Sequence, residues 1–356
     1  MGINETLRDL AVRHQILLYR LATGTATQVN ALLKAVEADL IAQIAKYDPT
    51  QDGGGYSKQR LNKMLAAIKK INAANYAEVQ DYLGSHLLDL AKYEADFQAK
   101  ILNQELPGDW PLDQPSVANL ESIVSSQPFQ GRVLSDWVAG MEAGRLDRIS
   151  QALNIGLVEG ETIGQIAKRI AGTKALGYSD GALETSRRSA EALARTAVNY
   201  VTNAAKEAVF EKNPDVIAKV MWVSVLDSRT TPICQSRDGK VYLVGQGPRP
   251  PAHINCRSVI TPITKSWRAL GIPIDEISPG TRASVNGQVP ATLTYGEWLK
   301  NQPLADIQEA LGVTKAKLFL DGGLTVDKFV DRTGHAYTLD ELRVRDAEAF
   351  RKAGLD

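Results

Sequence analysis

Residues 61–101 read LNKMLAAIKKINAANYAEVQDYLGSHLLDLAKYEADFQAKI. Leu61, Leu65, Ile68, Tyr76, Val79, Leu83, Leu87, Leu90, Phe97 and Ile101 recur at helical spacing, which is one face of an amphipathic helix continuing to about residue 105. Unbroken, such a helix runs roughly 60 Å. A second stripe precedes it over about residues 5–46: Leu7, Leu10, His14, Leu17, Leu21, Val29, Leu32, Val36, Leu40 and Ile44. The Thr-rich stretch 22–28, with Gly24, predicts a bend or break. Tyr47-Asp48-Pro49 and Asp52-Gly53-Gly54-Gly55 predict a stop and a flexible loop, and Ser57 a cap for the next helix. Two long helices joined by a Gly loop predict an antiparallel hairpin.

Downstream, Pro107, Pro111 and Pro115 close the long-helix region. Shorter helices are expected over about 116–126, 130–153 and 161–171, with Thr162 capping the last against Gln165. Helix 183–211 has an inner face of small residues: Ala190, Ala194, Ala197, Ala204, Ala205 and Ala208, with Leu193 and Val201. Small residues admit a neighbouring backbone, so this helix is expected at the centre of its domain. Past residue 218 the pattern turns to strands at 220–226, 240–244 and 257–263, with Asp238-Gly239 as a turn. The reading is a mainly α chain in three parts: a long N-terminal helical hairpin or bundle over 1–112, a small α+β domain over 113–265 and a mixed C-terminal extension over 266–356.

The 356 residues carry 41 Lys+Arg against 41 Asp+Glu, and 44% are hydrophobic. That balance excludes a general nucleic-acid binder held by bulk positive charge and an intrinsically disordered chain. Two cysteines supply no disulfide framework. No export signal opens the chain, and no run of about 18 apolar residues would span a bilayer. Gly2 and Thr6 complete a short myristoylation-like pattern that carries little weight. Synthesis and folding in a cytoplasm are expected.

Both cysteines and one of the four histidines fall within residues 234–256. The surrounding segment holds Asp227, Arg229, Thr230, Cys234, Asp238, Gly239, Pro250, Pro251, His253, Cys256 and Arg257. Three readings compete. Cys234, His253 and Cys256 suit tetrahedral zinc, with Asp227 or water as a fourth ligand. Cys234 or Cys256 with His253 forms a nucleophilic dyad, oriented by Asp227. In the third, Asp227 and Arg229 pair or cap turns, the prolines fix loops, and the cysteines are buried small groups or a later disulfide.

The order Asp-x-Arg-Thr-x-x-x-Cys, Asp-Gly-Lys-Val-Tyr and Pro-Pro-x-His-x-Asn-Cys-Arg resembles the phage Mu F-like domain of minor head, or head-morphogenesis, proteins of tailed bacteriophages. Ala194-Arg195-Thr196 followed by Asn203 is similar to the Arg-Thr helix ahead of that motif. The resemblance covers about 155–265. Many relatives end the motif Cys-Arg-Cys, where this chain has Cys256-Arg257-Ser258. Residues 280–290, Tyr295 to Leu299, and later Leu311-Gly312 and Phe329-Val330-Asp331, resemble the extension of podophage head-morphogenesis proteins. There Trp298 and Leu299 are expected as core or interface anchors. Thr338-Leu339-Asp340-Glu341 is a capping box, and His335 faces solvent.

The resemblance implies a non-enzymatic virion protein inside the head near the portal vertex. Its partners would be the portal protein, the major capsid protein and packaged double-stranded DNA, with no membrane involved. DNA contact would rest on local clusters: Lys69-Lys70, Lys168-Arg169, Arg187-Arg188 and Arg343 with Arg345. The alternatives are an ADP-ribosyltransferase-like toxin using Glu159-Gly160-Glu161, or a portal or scaffold subunit.

Overall fold

The computed structural model describes residues 3–46, 58–106, 108, 110–271 and 280–355. Gly2, the loop from Tyr47 to Gly55, the Ser57 cap and Pro107 lie outside the described residues. The helices are α1 (Ile3–Ala35), α2 (Glu37–Ala45), α3 (Lys58–Glu105), α4 (Val117–Ser125), α5 (Leu134–Val158), α6 (Ile163–Ala171) and α7 (Ala182–Lys212). There follow β1 (Ile217–Val223), α8 (Pro232–Arg237), β2 (Val241–Leu243), β3 (Val259–Thr264), β4 (Thr281–Ser284) and β5 (Gly287–Pro290). Five short helices end the chain: α9 (Tyr295–Lys300), α10 (Leu304–Leu311), α11 (Val313–Leu320), α12 (Leu339–Arg345) and α13 (Ala347–Lys352). The mainly α fold with small sheets in the second half is as expected. No helix among the described residues is long and apolar enough to cross a membrane.

Two local expectations differ. α1 runs unbroken through 22–28, where Thr25 and Thr27 donate back to the carbonyls of Leu21 and Thr23. The interruption falls instead at Val36, a single turn residue. The buried face of α1 keeps Leu7, His14 and Val29 of the expected stripe but is completed by Ala11, Leu18, Ala22, Ala26 and Leu33, while Leu17 is 56% exposed. Counting large apolar residues overlooked the alanines, which let the backbones of facing helices approach.

The chain forms two compact units, each discontinuous in sequence. One gathers Arg20–Ala91 and Leu120–Val201. Within it Thr25 meets His86 at 2.9 Å, and Asn75 donates to the Leu32 carbonyl at 2.8 Å. Positions rise along α1 as they fall along α3, so these segments run antiparallel. Leu40, Ile44, Met64 and Ile68 pack with Ile149, Leu153, Ile166 and Ile170. Arg145 is buried beside them, donating to Asn75 Oδ1 and the Leu33 carbonyl. Thr162 forms the expected capping box with Gln165 at the start of α6.

The other unit gathers Met1–Tyr19, Lys92–Asn119 and Thr202–Asp356. Its antiparallel sheet has the order β2-β1-β3, with Val220 opposite both Tyr242 and Pro262. Pro262 lacks an N–H for the ladder, and β3 tolerates it as an edge strand. The β4–β5 hairpin and α9 to α13 enclose a separate core around Tyr295, Trp298, Leu299, Leu318, Phe329 and Phe350. Trp298 and Leu299 are thus core residues, Thr338 and Glu341 form their capping box, and His335 is exposed.

Candidate functional site

Strand β1 ends at Val223, and the chain then turns back through residues 224–231 into α8. Asp227 accepts from the Arg229 amide two residues on, an Asx turn, and Thr230 Oγ1 reaches the Val225 carbonyl at 2.6 Å. Pro232 occupies the first turn of α8, where its missing N–H matters least. Sequence patterning shows no helix here, because six residues are too few to display a period. Cys234 is on its inner side, buried against Trp222 and Cys256.

The second half of the site is the loop ahead of β3. Pro250–Pro251 is a cis bond, and residues 253–256 make a tight turn in which the Cys256 amide donates to the His253 carbonyl at 3.1 Å. Asn255 adopts φ 60 there, a left-handed conformation that Asn accepts more readily than most residues. The turn folds His253 and Cys256 toward one point.

Three of the four residues read as metal ligands come together. Cys234 Sγ lies 3.3 Å from His253 Nε2 and 3.7 Å from Cys256 Sγ, and all three ligand atoms lie within 4.8 Å of one another. Both cysteines are free thiols. His253 Nδ1 meets the Ile254 carbonyl at 2.8 Å, so Nδ1 donates there and Nε2 is turned toward the sulfurs. Thr231 Oγ1 approaches the same Nε2 at 2.8 Å. The hydrogen bond from Cys234, then His253 and the Ala252 amide, hold Cys256 well below its ordinary range despite burial. The same sulfur–sulfur bond, with burial, pushes Cys234 well above.

Asp227 is not in that cluster. Its carboxylate takes both guanidinium nitrogens of Arg257, at 2.6 and 2.7 Å, and Arg229 at 3.5 Å. Burial disfavours the charge, yet Arg257 and then Arg229 hold the carboxyl below its ordinary range. Ser258 is buried, with its hydroxyl 3.1 Å from Ser224 Oγ and hydrogen-bonded to Cys234.

A cavity of about 30 Å³ adjoins the cluster, lined by Thr231, Cys234, His253, Asn255 and Ser258 among others. It has room for a water-sized group. Substrate pockets are about ten times larger or more, and both cysteines are buried. The arrangement suits holding a small ion better than attacking a substrate.

Sequence reading took Asp238-Gly239 as a turn, and Gly239 does adopt φ 78. It missed what Asp238 does. The carboxylate accepts from the amides of Ser224 at 2.7 Å and Tyr295 at 2.8 Å, and from Arg282 at 2.9 Å. Arg282 is fully buried and also donates to the Ser224 and Leu293 carbonyls. Arg8 lies 3.9 Å from the same carboxylate and donates to the Ala291 carbonyl. Burial and the neighbouring Arg282 push Arg8 down to about 10, with Asp238 opposing. Arg8, Arg282 and Tyr295 lie far from Asp238 in sequence, and no local pattern marks them as its partners.

Other singled-out residues have internal duties. Arg195, on α7 in the first-described unit, pairs with Glu191 at 3.6 Å. Thr196 donates to the Ala192 carbonyl, and Asn203 accepts from the Ile260 amide. Glu159 and Glu161 both bind Arg169, at the helix end that Thr162 caps.

No curated protein and no solved structure matches the chain. The family model described as phage Mu protein F like protein matches residues 147–261, about a third of the chain. The match takes in α6, α7, α8, β1, β2, the first half of β3 and the Cys–His cluster. It points to a phage head-morphogenesis protein, structural in nature, with a place in the virion. The motif read from Asp227 to Arg257 lies inside the matched segment, so over residues 147–261 the chain is similar to the phage Mu F-like family.

Proposed function

We propose that this chain is a minor structural protein inside a tailed-phage head, docked on the portal and assisting head assembly and DNA packaging or ejection. The observation that carries the reading is the Mu F-like match over 147–261. The surface of the unit containing the sheet supports a protein partner. A cavity of about 260 Å³ there is lined mainly by apolar groups, including Val12, Ile16, Tyr19, Val225, Leu226 and Val285. Ile16, Leu17, Tyr19 and Val285 are exposed at or beside it. An apolar segment of a portal subunit is the occupant that fits this reading.

DNA takes second place. Of the basic clusters read from sequence, Arg187 is engaged by Glu37 and Glu184, Arg169 by Glu159 and Glu161, and Arg188 by Glu184. Arg343 and Arg345 lie over Phe350 and Tyr337. With zero net charge, position in the head rests mainly on protein contacts.

The test is sedimentation of the purified chain with the portal ring of the same phage, in about 0.1 M and about 1 M salt. Co-sedimentation that survives high salt and is abolished by Ile16→Asp with Val285→Asp supports portal docking. Absence of portal binding, with salt-sensitive binding to random duplex DNA instead, refutes it.

A further inference from the structure

A tetrahedral zinc ion with sulfur at about 2.3 Å and nitrogen at about 2.0 Å sets its sulfurs about 3.8 Å apart and sulfur from nitrogen about 3.5 Å. The Cys234–Cys256 and Cys234–His253 separations of 3.7 and 3.3 Å match two edges of that tetrahedron before any ion is placed, and the third, Cys256 to His253, is within 4.8 Å, a distance that a small shift of either side chain closes. We propose that Cys234, Cys256 and His253 bind one zinc ion, with a water in the adjoining cavity as the fourth ligand.

Three further observations support the site. His253 already presents the correct nitrogen, because Nδ1 is held by the Ile254 carbonyl, the usual outer partner of a metal-binding imidazole. The Ala252 amide donates to the Cys256 sulfur and fixes its direction. The 30 Å³ cavity touches Cys234 and His253, which leaves room on the open side of the ligand triangle. Thr231 and Ser258 line that cavity and can hydrogen-bond the water. Asp227 supplies no ligand, since Arg257 occupies both its oxygens.

Three protein ligands and a water are the formula of catalytic zinc, but the cavity here admits no substrate. The ion acts as a clamp. It ties α8 to the 253–256 turn, and so holds Arg257 against Asp227 at the start of the segment that leads into α8.

The experiment uses the full chain, stripped with chelator and then given zinc or cobalt(II) alone. About one zinc per chain is expected by elemental analysis. Cobalt(II) should give the intense visible bands of a tetrahedral site and a thiolate-to-cobalt charge-transfer band, a readout on the unmutated chain that needs no variant to fold. Cys234→Ser with Cys256→Ser should abolish uptake, and folded Asp227→Asn should retain it. Ser258→Cys should tighten zinc by at least about tenfold, or about 1.4 kcal/mol, by offering sulfur in place of water. The site is overturned if the reduced, folded chain gives only the pale spectrum of octahedral cobalt, or if the double cysteine variant still takes up one zinc. Loss of zinc from folded Asp227→Asn overturns the water as fourth ligand.

Discussion

Asp238→Ala should cripple the unit that contains the sheet. Its carboxylate lies beside two buried guanidiniums, with Arg282 at 2.9 Å and Arg8 at 3.9 Å. Removing one partner of a buried ion pair costs about 3 to 5 kcal/mol, because the other charge is left uncompensated. The amides of Ser224 and Tyr295 also lose their acceptor, each loss worth about 1 to 3 kcal/mol taken alone. These terms share one side chain and do not add, so about 4 kcal/mol is the working figure. The unit has roughly 200 residues, for which each kcal/mol moves the melting temperature by about 2 to 4 °C. Scanning calorimetry should therefore show one transition falling by roughly 8 to 16 °C. Glu348→Gln, which removes an exposed pair with Lys352, should move it by no more than about 2 °C. Asp238→Leu combined with Arg282→Met should recover part of the loss, since an apolar pair needs no counter-charge. A fall under about 2 °C for Asp238→Ala, or a double variant worse than the single, would refute the reasoning.

Other consequences are open to measurement. Glu94 is buried against His14 at 2.7 Å and Lys206 at 3.5 Å; burial opposes its charge, but Lys206 and then His14 hold its carboxyl below the ordinary range. Such a group stabilises the fold fully above its unfolded value, about 4.3 for Glu, and the contribution is lost as pH falls through the lower folded value. Glu94→Gln should lower stability at pH 7 and flatten its decline below about pH 4.3 in urea titrations; parallel curves for the two proteins would contradict this. Gly156 leaves no room for a side chain, since an added Cβ would lie 2.4 Å from Ile166 Cγ1. Gly156→Ala should overpack the α5–α6 contact and cost about 1 to 3 kcal/mol by denaturant unfolding. Thr162→Ala removes the α6 capping box and should cost about 1 kcal/mol, visible as faster amide exchange in the first turn of α6.

Much of the secondary structure was legible, because helix formation is written in local periodicity. The stripe from Leu61 to Ile101 became α3, and Thr162 and Thr338 cap where their patterns said they would. Errors arose where a local signal was outweighed. Thr and Gly24 in α1 argued for a break, but threonine hydroxyls bonded back to the helix carbonyls and the helix continued. The short helix α8 is too brief to show a period, and the sequence carries no helical stripe there.

The sequence by itself determined that Cys234, His253 and Cys256 form a cluster worth testing, because they crowd into one short segment beside turn-forming residues. Its motif also showed the likeness to the Mu F-like family that the family match over 147–261 bears out. Only the tertiary structure decided that Asp227 belongs to Arg257 and that Asp238 anchors Arg8, Arg282 and Tyr295. A carboxylate pairs with whichever cation shares its buried volume, and that volume is assembled from segments far apart in the chain.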